Sequence, residues 1–170
     1  QGAAAFILIS TDKAVRPSSV MGATKRVAEL VVQDLGRRFP TRYVAVRFGN
    51  VLGSAGSVIP LFREQIRRGG PVTVTVPEMT RFLLSLDQAV DTVFAALRSA
   101  RPGETWVPAS PSARVIDIAR ALVGERKVEI RVVGIRTGEK MHEVLVSGEE
   151  SPHAWRQETW HRVAPMLPEL

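Results

Sequence analysis

The chain contains no cysteine, which excludes a disulfide framework and any thiolate metal site and fits a reducing compartment. Its three histidines are scattered and form no metal-ligand spacing. Aromatic residues make up only 6%, and the basic residues are dispersed, as at Arg37, Arg38, Arg67, Arg68, Arg126 and Lys127. The net charge of +6 therefore lacks the clustered charge and stacking platforms of a nucleic-acid surface. We expect no nucleic-acid partner; phosphorylated small molecules or solvated helix faces account for the charge. The longest apolar run, Gly2 to Ile9, falls short of the roughly 18 to 20 residues of a membrane span, and no charged segment precedes it. The expectation is a cytoplasmic protein with no membrane segment in this chain; any anchor would lie upstream.

Also missing is a G-x-G-x-x-G after a strand, since the glycines from Gly49 to Gly56 have the wrong spacing. The chain is thus expected to lack the pyrophosphate cradle of a dinucleotide fold, and neither to bind such a cofactor well nor to turn over alone. It starts at Gln1 and enters an apolar run at once, so further sequence is expected upstream.

What is present is 45% hydrophobic sequence in 170 residues, enough to bury one ordinary core. Ala4 to Ile9 is wholly apolar and ends in Ser-Thr-Asp, the pattern of a strand buried in a parallel sheet. Ser18 or Ser19 can cap a helix from Val20 to Arg38, in which Val27, Leu30, Val31 and Leu35 recur at helical spacing. Tyr43 to Phe48 reads as the next strand, completing a βαβ unit. Beyond it we expect helices at Val58–Arg68, Asp87–Arg98, Val115–Val123 (capped by Ser112) and Glu139–Val146. Strands are expected at Val72–Val76, Thr105–Val107 and Val128–Val133. The fold class is α/β: the C-terminal part of a doubly wound, Rossmann-like parallel sheet over residues 1–56, then mainly a small mixed substrate-binding domain over 57–170. The seam is expected near residues 53 to 58. Trp155, Trp160 and His161 receive no role.

Ligands of doubly wound sheets sit outside the carboxyl ends of the strands, where this chain places Ser10, Thr11, Asp12 and Lys13. Met21 and Lys25 lie four apart and share a helical face that can point back to that strand end. A hydroxyl, a carboxylate and two ammonium groups could converge there.

The string STDKAVRPSSVMGATKRVAEL resembles the active-site segment of polysaccharide-biosynthesis nucleotide-sugar dehydratases and epimerases of the extended short-chain dehydrogenase class. The resemblance continues in order through VRFGNVLGSAGSVIPLFREQI, GGPVTVTVPEMTRFLLSLDQAV and GIRTGEKMHEVL, covering most of residues 6 to 147. It implies a UDP-N-acetylhexosamine 4,6-dehydratase, homo-oligomeric when intact, that recycles bound NADP or NAD. By resemblance, Thr11 bonds the sugar O4, Lys25 holds the nicotinamide ribose, and Ser10 and Phe48 lie by the cofactor. Asp12 and Lys13 match the acid that protonates the departing C6 hydroxyl and the base that takes the C5 proton. Asn50 matches a diphosphate contact, with Ser57 and Val58 at a helix start near the phosphates. Arg81 and Arg136 are similar to two arginines that grip the UDP diphosphate, Glu139 to a ribose contact, and Val74 to the strand beside uracil.

One departure is Met21, where the class usually has a tyrosine that deprotonates the C4 hydroxyl. Methionine carries no such proton, and Asp12 or a water held by Thr11 is the remaining local candidate. The rival readings are a UDP-sugar 4-epimerase of the same class and a non-catalytic sugar-nucleotide-binding fragment.

Overall fold

The computed structural model describes residues 2–54 and 56–166. In chain order, β1 (Ala5–Thr11) leads through a 3-10 turn at Asp12–Ala14 into α1 (Val20–Arg38), β2 (Arg42–Phe48) and β3 (Asn50–Val51). Next come α2 (Val58–Arg67), β4 (Val72–Val74), β5 (Thr80–Leu84) and α3 (Leu86–Ser99). Then follow β6 (Thr105–Pro108), β7 (Ser112–Arg114), α4 (Val115–Val123) and β8 (Ile130–Val132), and, after a 3-10 turn at Ser151–His153, β9 (Ala154–Gln157) and β10 (Trp160–Val163).

These elements form two compact units. The first comprises residues 1–49, 86–109 and 144–170; the second comprises 50–85 and 110–143. The chain crosses between them after residues 49, 85, 109 and 143. Only non-local contacts decide this, and the strand and helix patterns do not carry them.

The first unit is a five-stranded sheet in the order β1-β2-β6-β10-β9. β1, β2 and β6 run parallel, and β1 pairs with β2 along its whole length from Ala5↔Arg42 to Thr11↔Phe48. Val44 to Phe48 is buried throughout, as expected of a strand covered on both faces. β9 and β10 add an antiparallel hairpin in which Trp160 packs against Trp106 and the Arg162 guanidinium lies over both Trp106 and Trp155.

α1 begins at Ser19, whose hydroxyl accepts from the Gly22 amide at 3.2 Å, so Ser19 is the cap. The apolar residues expected at helical spacing are not its buried face: Val27 is 59% and Val31 50% exposed, whereas Gly22, Glu29, Val32 and Gln33 are buried.

The second unit packs α2 and α4 on β4 and β8 around Phe62, Val72, Val74, Met79, Val115 and Ala119. β5 pairs with β3 on one side and β7 on the other. Three expectations change here. Ser112 lies in β7, and α4 starts after Arg114 without a side-chain cap. The strands expected at Val72–Val76 and Val128–Val133 shorten to three residues each. No helix forms over Glu139–Val146: the Glu139 amide closes a turn onto the Arg136 carbonyl around Gly138 at φ +85°, and the chain instead meets β5 through a Thr80↔His142 bridge.

Candidate functional site

β1 delivers its last residue beside Phe48, and its C-terminal end turns at once into the Asp12–Ala14 3-10 turn. Thr11 caps that turn, accepting from the Lys13 amide at 3.4 Å. Asp12 is fully buried, and its Oδ1 accepts both from the Thr11 hydroxyl and from the Lys13 ammonium, each at 2.9 Å. Its Oδ2 is buried without a hydrogen-bond partner. An unpaired buried carboxylate oxygen costs free energy unless a donor or a proton reaches it. Lys13 keeps its side chain 34% exposed, so one end of the pair is interior and the other reaches solvent. Thr11, Asp12 and Lys13 are thus wired as one hydrogen-bonded group.

α1 is seated on this strand end at three points on one face. A Cβ at Gly22 would lie 2.3 Å from the Lys13 carbonyl oxygen, so only glycine allows the helix this close. One turn on, the Lys25 ammonium donates to the Ile9 carbonyl at 3.0 Å. One turn further, Glu29 accepts from the Ser10 hydroxyl at 2.6 Å. Ser10 therefore directs its hydroxyl to Glu29, in the interior of the unit. Met21 is 48% exposed, one turn before Lys25.

Behind Ser10 lies a buried charge cluster. Arg47 on β2 donates twice to Glu29, at 3.0 and 2.8 Å, twice to Glu150, at 2.9 Å each, and once to the Leu145 carbonyl at 2.7 Å. All five guanidinium donors are satisfied. Arg26 adds a second cation between the two carboxylates. Burial opposes the charge on Arg47, but hydrogen bonds to Glu29 and Glu150 and their charge raise its pKa further. Burial likewise would raise Glu150, yet Arg47, the Ser147 amide and Arg26 together hold it down at about 2. Sequence reasoning missed Glu29, Glu150 and Gly22. The spacing of Glu29 four residues after Lys25 was a readable signal for the first; nothing local marks Glu150.

In the second unit, Asn50 pairs in β3 with Leu83 and keeps a buried side-chain oxygen without a partner. Ser57, the N-cap of α2, makes no side-chain cap bond, and its buried hydroxyl has none either. Val58 opens the ten-residue α2, whose free N–H groups carry the positive end of the helix dipole. Arg81 on β5 donates through Nη1 to the carbonyls of Thr80 and Lys140, at 2.7 and 3.0 Å, tying the 136–141 loop to its strand. Arg136 is exposed on that loop, and Glu139 accepts from the Arg136 amide at 3.1 Å. Val74 is wholly buried, so its side chain serves the core. Among the described residues no cluster of histidine, aspartate and glutamate is placed to hold a metal, and no helix is long and apolar enough to cross a membrane.

Residues 1–165 match the family described as polysaccharide biosynthesis protein. The chain is 50% identical over 152 residues to the capsular polysaccharide biosynthesis protein CapD of Staphylococcus aureus, covering 85% of this chain and 25% of that protein. It is 43% identical to a UDP-glucose 4-epimerase of Rickettsia massiliae over 92% of this chain and 48% of the relative. Among solved structures, Pen from Bacillus thuringiensis superposes with a TM-score of 0.90 at 33% identity, over 95% of this chain and 53% of that one. The dTDP-glucose 4,6-dehydratase DesIV of Streptomyces venezuelae, at 19% identity over 87% of this chain and 53% of its own, shares the fold with a TM-score of 0.75. The chain spans from a quarter to about half of the length of these relatives. With its α/β fold, its parallel sheet and its wired strand end, the chain belongs to the polysaccharide biosynthesis protein family of the extended short-chain dehydrogenase class.

Proposed function

We propose that the intact protein is a nucleotide-sugar 4,6-dehydratase acting on a UDP-N-acetylhexosamine in glycan synthesis. The observation that carries this is the Thr11-Asp12-Lys13 group, because elimination across C5 and C6 needs an acid and a base on adjacent carbons. A 4-epimerase returns hydride to C4 and needs no such pair.

Thr11 accepts the C4 hydroxyl proton while passing its own to Asp12 Oδ1, along the 2.9 Å bond already in place. Asp12 then holds a proton to give to the departing C6 hydroxyl, which leaves as water. Losing its counter-charge, the Lys13 ammonium releases a proton to solvent through its exposed side, and the neutral amine takes the C5 proton. Lys13 returns that proton to C5, and solvent restores the starting pair. In this scheme Met21 needs no proton chemistry. When bound, a nicotinamide, as NADP or NAD, would supply the hydride exchange between C4 and C6.

The residues present fit that cofactor: Lys25 uses one of its three donors on Ile9, leaving two for ribose hydroxyls, and the backbone at Phe48 ends β2 beside Thr11. DesIV was solved with NAD bound, which supports a nicotinamide without choosing its phosphate. For the substrate, the unpartnered Asn50 and Ser57 and the start of α2 suit phosphate oxygens, with Arg81 and Arg136 as the diphosphate's cations. Glu139 would meet the uridine ribose and the strand at Val74 the uracil. The exposed stripe of Val20, Val27 and Val31 on α1 supports a homo-oligomer, and we place the enzyme in the cytoplasm.

The test is mass spectrometry of full-length enzyme with UDP-N-acetylglucosamine. Loss of one water mass is expected. An isomer of unchanged mass would instead favour the 4-epimerase, which the Rickettsia relative's name keeps as the rival.

A further inference from the structure

We infer that Glu29 and Ser10 are positioning residues which, anchored by Arg47, set the reactive geometry of the Thr11–Lys13 turn without touching substrate. This rests on the dehydratase reading for its effect on rate, and on the geometry alone for the rest.

Three facts carry it. Gly22, Lys25 and Glu29 stand at i, i+3 and i+7 on α1, and each meets β1 or its turn, at Lys13, Ile9 and Ser10 respectively. The helix therefore has one longitudinal register against the strand end. Slipping by a residue would break all three contacts. Secondly, Glu29 is fully buried, and both of its oxygens are taken: Oε1 by the Ser10 hydroxyl and Arg47 Nε, Oε2 by Arg47 Nη2 and Arg26. The carboxylate cannot rotate without stranding a buried charge, which is costly. Thirdly, Ser10 directly precedes Thr11, the residue that caps the turn and bonds Asp12, so a shift at Ser10 is handed to the reacting group through a single peptide. Positioning errors of about 1 Å can lower rates on the order of a hundredfold, which gives a buried hydrogen bond at this place leverage beyond its stability.

Ser10→Ala removes the hydroxyl and leaves the charge cluster intact, so it is the variant least exposed to misfolding. In full-length enzyme it should lower kcat by about tenfold, with the KM for the UDP-sugar and the cofactor stoichiometry unchanged. Ser10→Thr, which restores a hydroxyl, should recover most of the loss. A kcat that stays at the wild-type value, or a rise in KM alone, overturns the inference.

A second measurement separates this from the fate of the dehydratase reading. The chain has four lysines, Lys13 and Lys25 in the seat, and Lys127 and Lys140 in the other unit. With 13Cε-labelled lysine in full-length enzyme, and resonances assigned by single Lys→Arg substitutions, Ser10→Ala and Glu29→Gln should move the Lys13 and Lys25 resonances and leave those of Lys127 and Lys140 unmoved. If the wild-type enzyme eliminates no water, the functional reading fails while these shifts still support the positioning. If Lys13 and Lys25 do not move in a folded Ser10→Ala chain, the positioning fails whatever the reaction.

Discussion

Arg47 and Glu150 stand 103 residues apart in the chain and meet inside the first unit through two hydrogen bonds of 2.9 Å. Glu150 is held at about 2, below its ordinary value, because Arg47 and its neighbours outweigh the cost of burial. A depressed carboxylate contributes stability above its unfolded pKa and loses it as pH falls toward the folded one. That window runs from about pH 4.5 down to about 2. We expect unfolding free energy to drop across it by on the order of 3 kcal/mol from this group. Glu150→Gln should flatten that slope in denaturant titrations, and should cost about 3 to 5 kcal/mol at neutral pH by leaving Arg47 short of a counter-charge. An unaltered slope would remove Glu150 as its source.

Lys13 and Lys25 are both near the strand end, and the proposal gives them different work. Full-length Lys13→Met should still reduce its bound cofactor when given substrate, yet fail to exchange the C5 proton with deuterated solvent or to release water. Normal exchange in that variant would move the base to Lys25 or to a bound water.

Arg81 and Arg136 should separate by stability rather than by binding. Either one changed to Ala is expected to weaken UDP-sugar binding by about 2 kcal/mol, the scale of a charge-assisted bond. Arg81→Ala should also lower Tm, because Arg81 ties the 136–141 loop to β5, whereas Arg136 is exposed and its loss should leave Tm alone. KM values that stay at wild type in both variants would refute the diphosphate assignment.

Gly22→Ala places a Cβ 2.3 Å from the Lys13 carbonyl oxygen, a backbone atom that cannot swing aside. Alanine is otherwise the better helix former by about 1 kcal/mol. We expect the clash to win, with lower Tm and a displaced Lys13 resonance; a more stable variant would show that α1 does not sit this close.

The parts of this architecture that were legible in the sequence are those with a local signature. β1 and β2 read as strands because their apolar residues are contiguous, and α1 because Ser19 caps a helical period. The Thr11-Asp12-Lys13 group was legible because neighbours in sequence at a strand end stay neighbours in space. The rest depends on distant partners. Glu29 reads as a solvated helix charge until Arg47 and Glu150 are brought to it, and the exposed Val27 and Val31 read as core for the same reason. β3, β5, β7, β9 and β10 are five residues or fewer, too short for alternation to register. The helix expected at Glu139–Val146 failed on a turn around Gly138 that its apolar spacing does not reveal.

The separation of Arg47 from Glu150 also has a meaning in time. Chains are synthesised at about 5 to 20 residues per second, so the 103 residues from Arg47 on to Glu150 take roughly 5 to 20 s to emerge. Throughout that interval a guanidinium destined for the interior has Glu29 but neither Glu150 nor the Leu145 carbonyl to receive its remaining donors. β1 and β2 therefore wait for Glu150, and a truncation before it would strand Arg47 in the nascent protein much as the Glu150→Gln substitution does in the finished one.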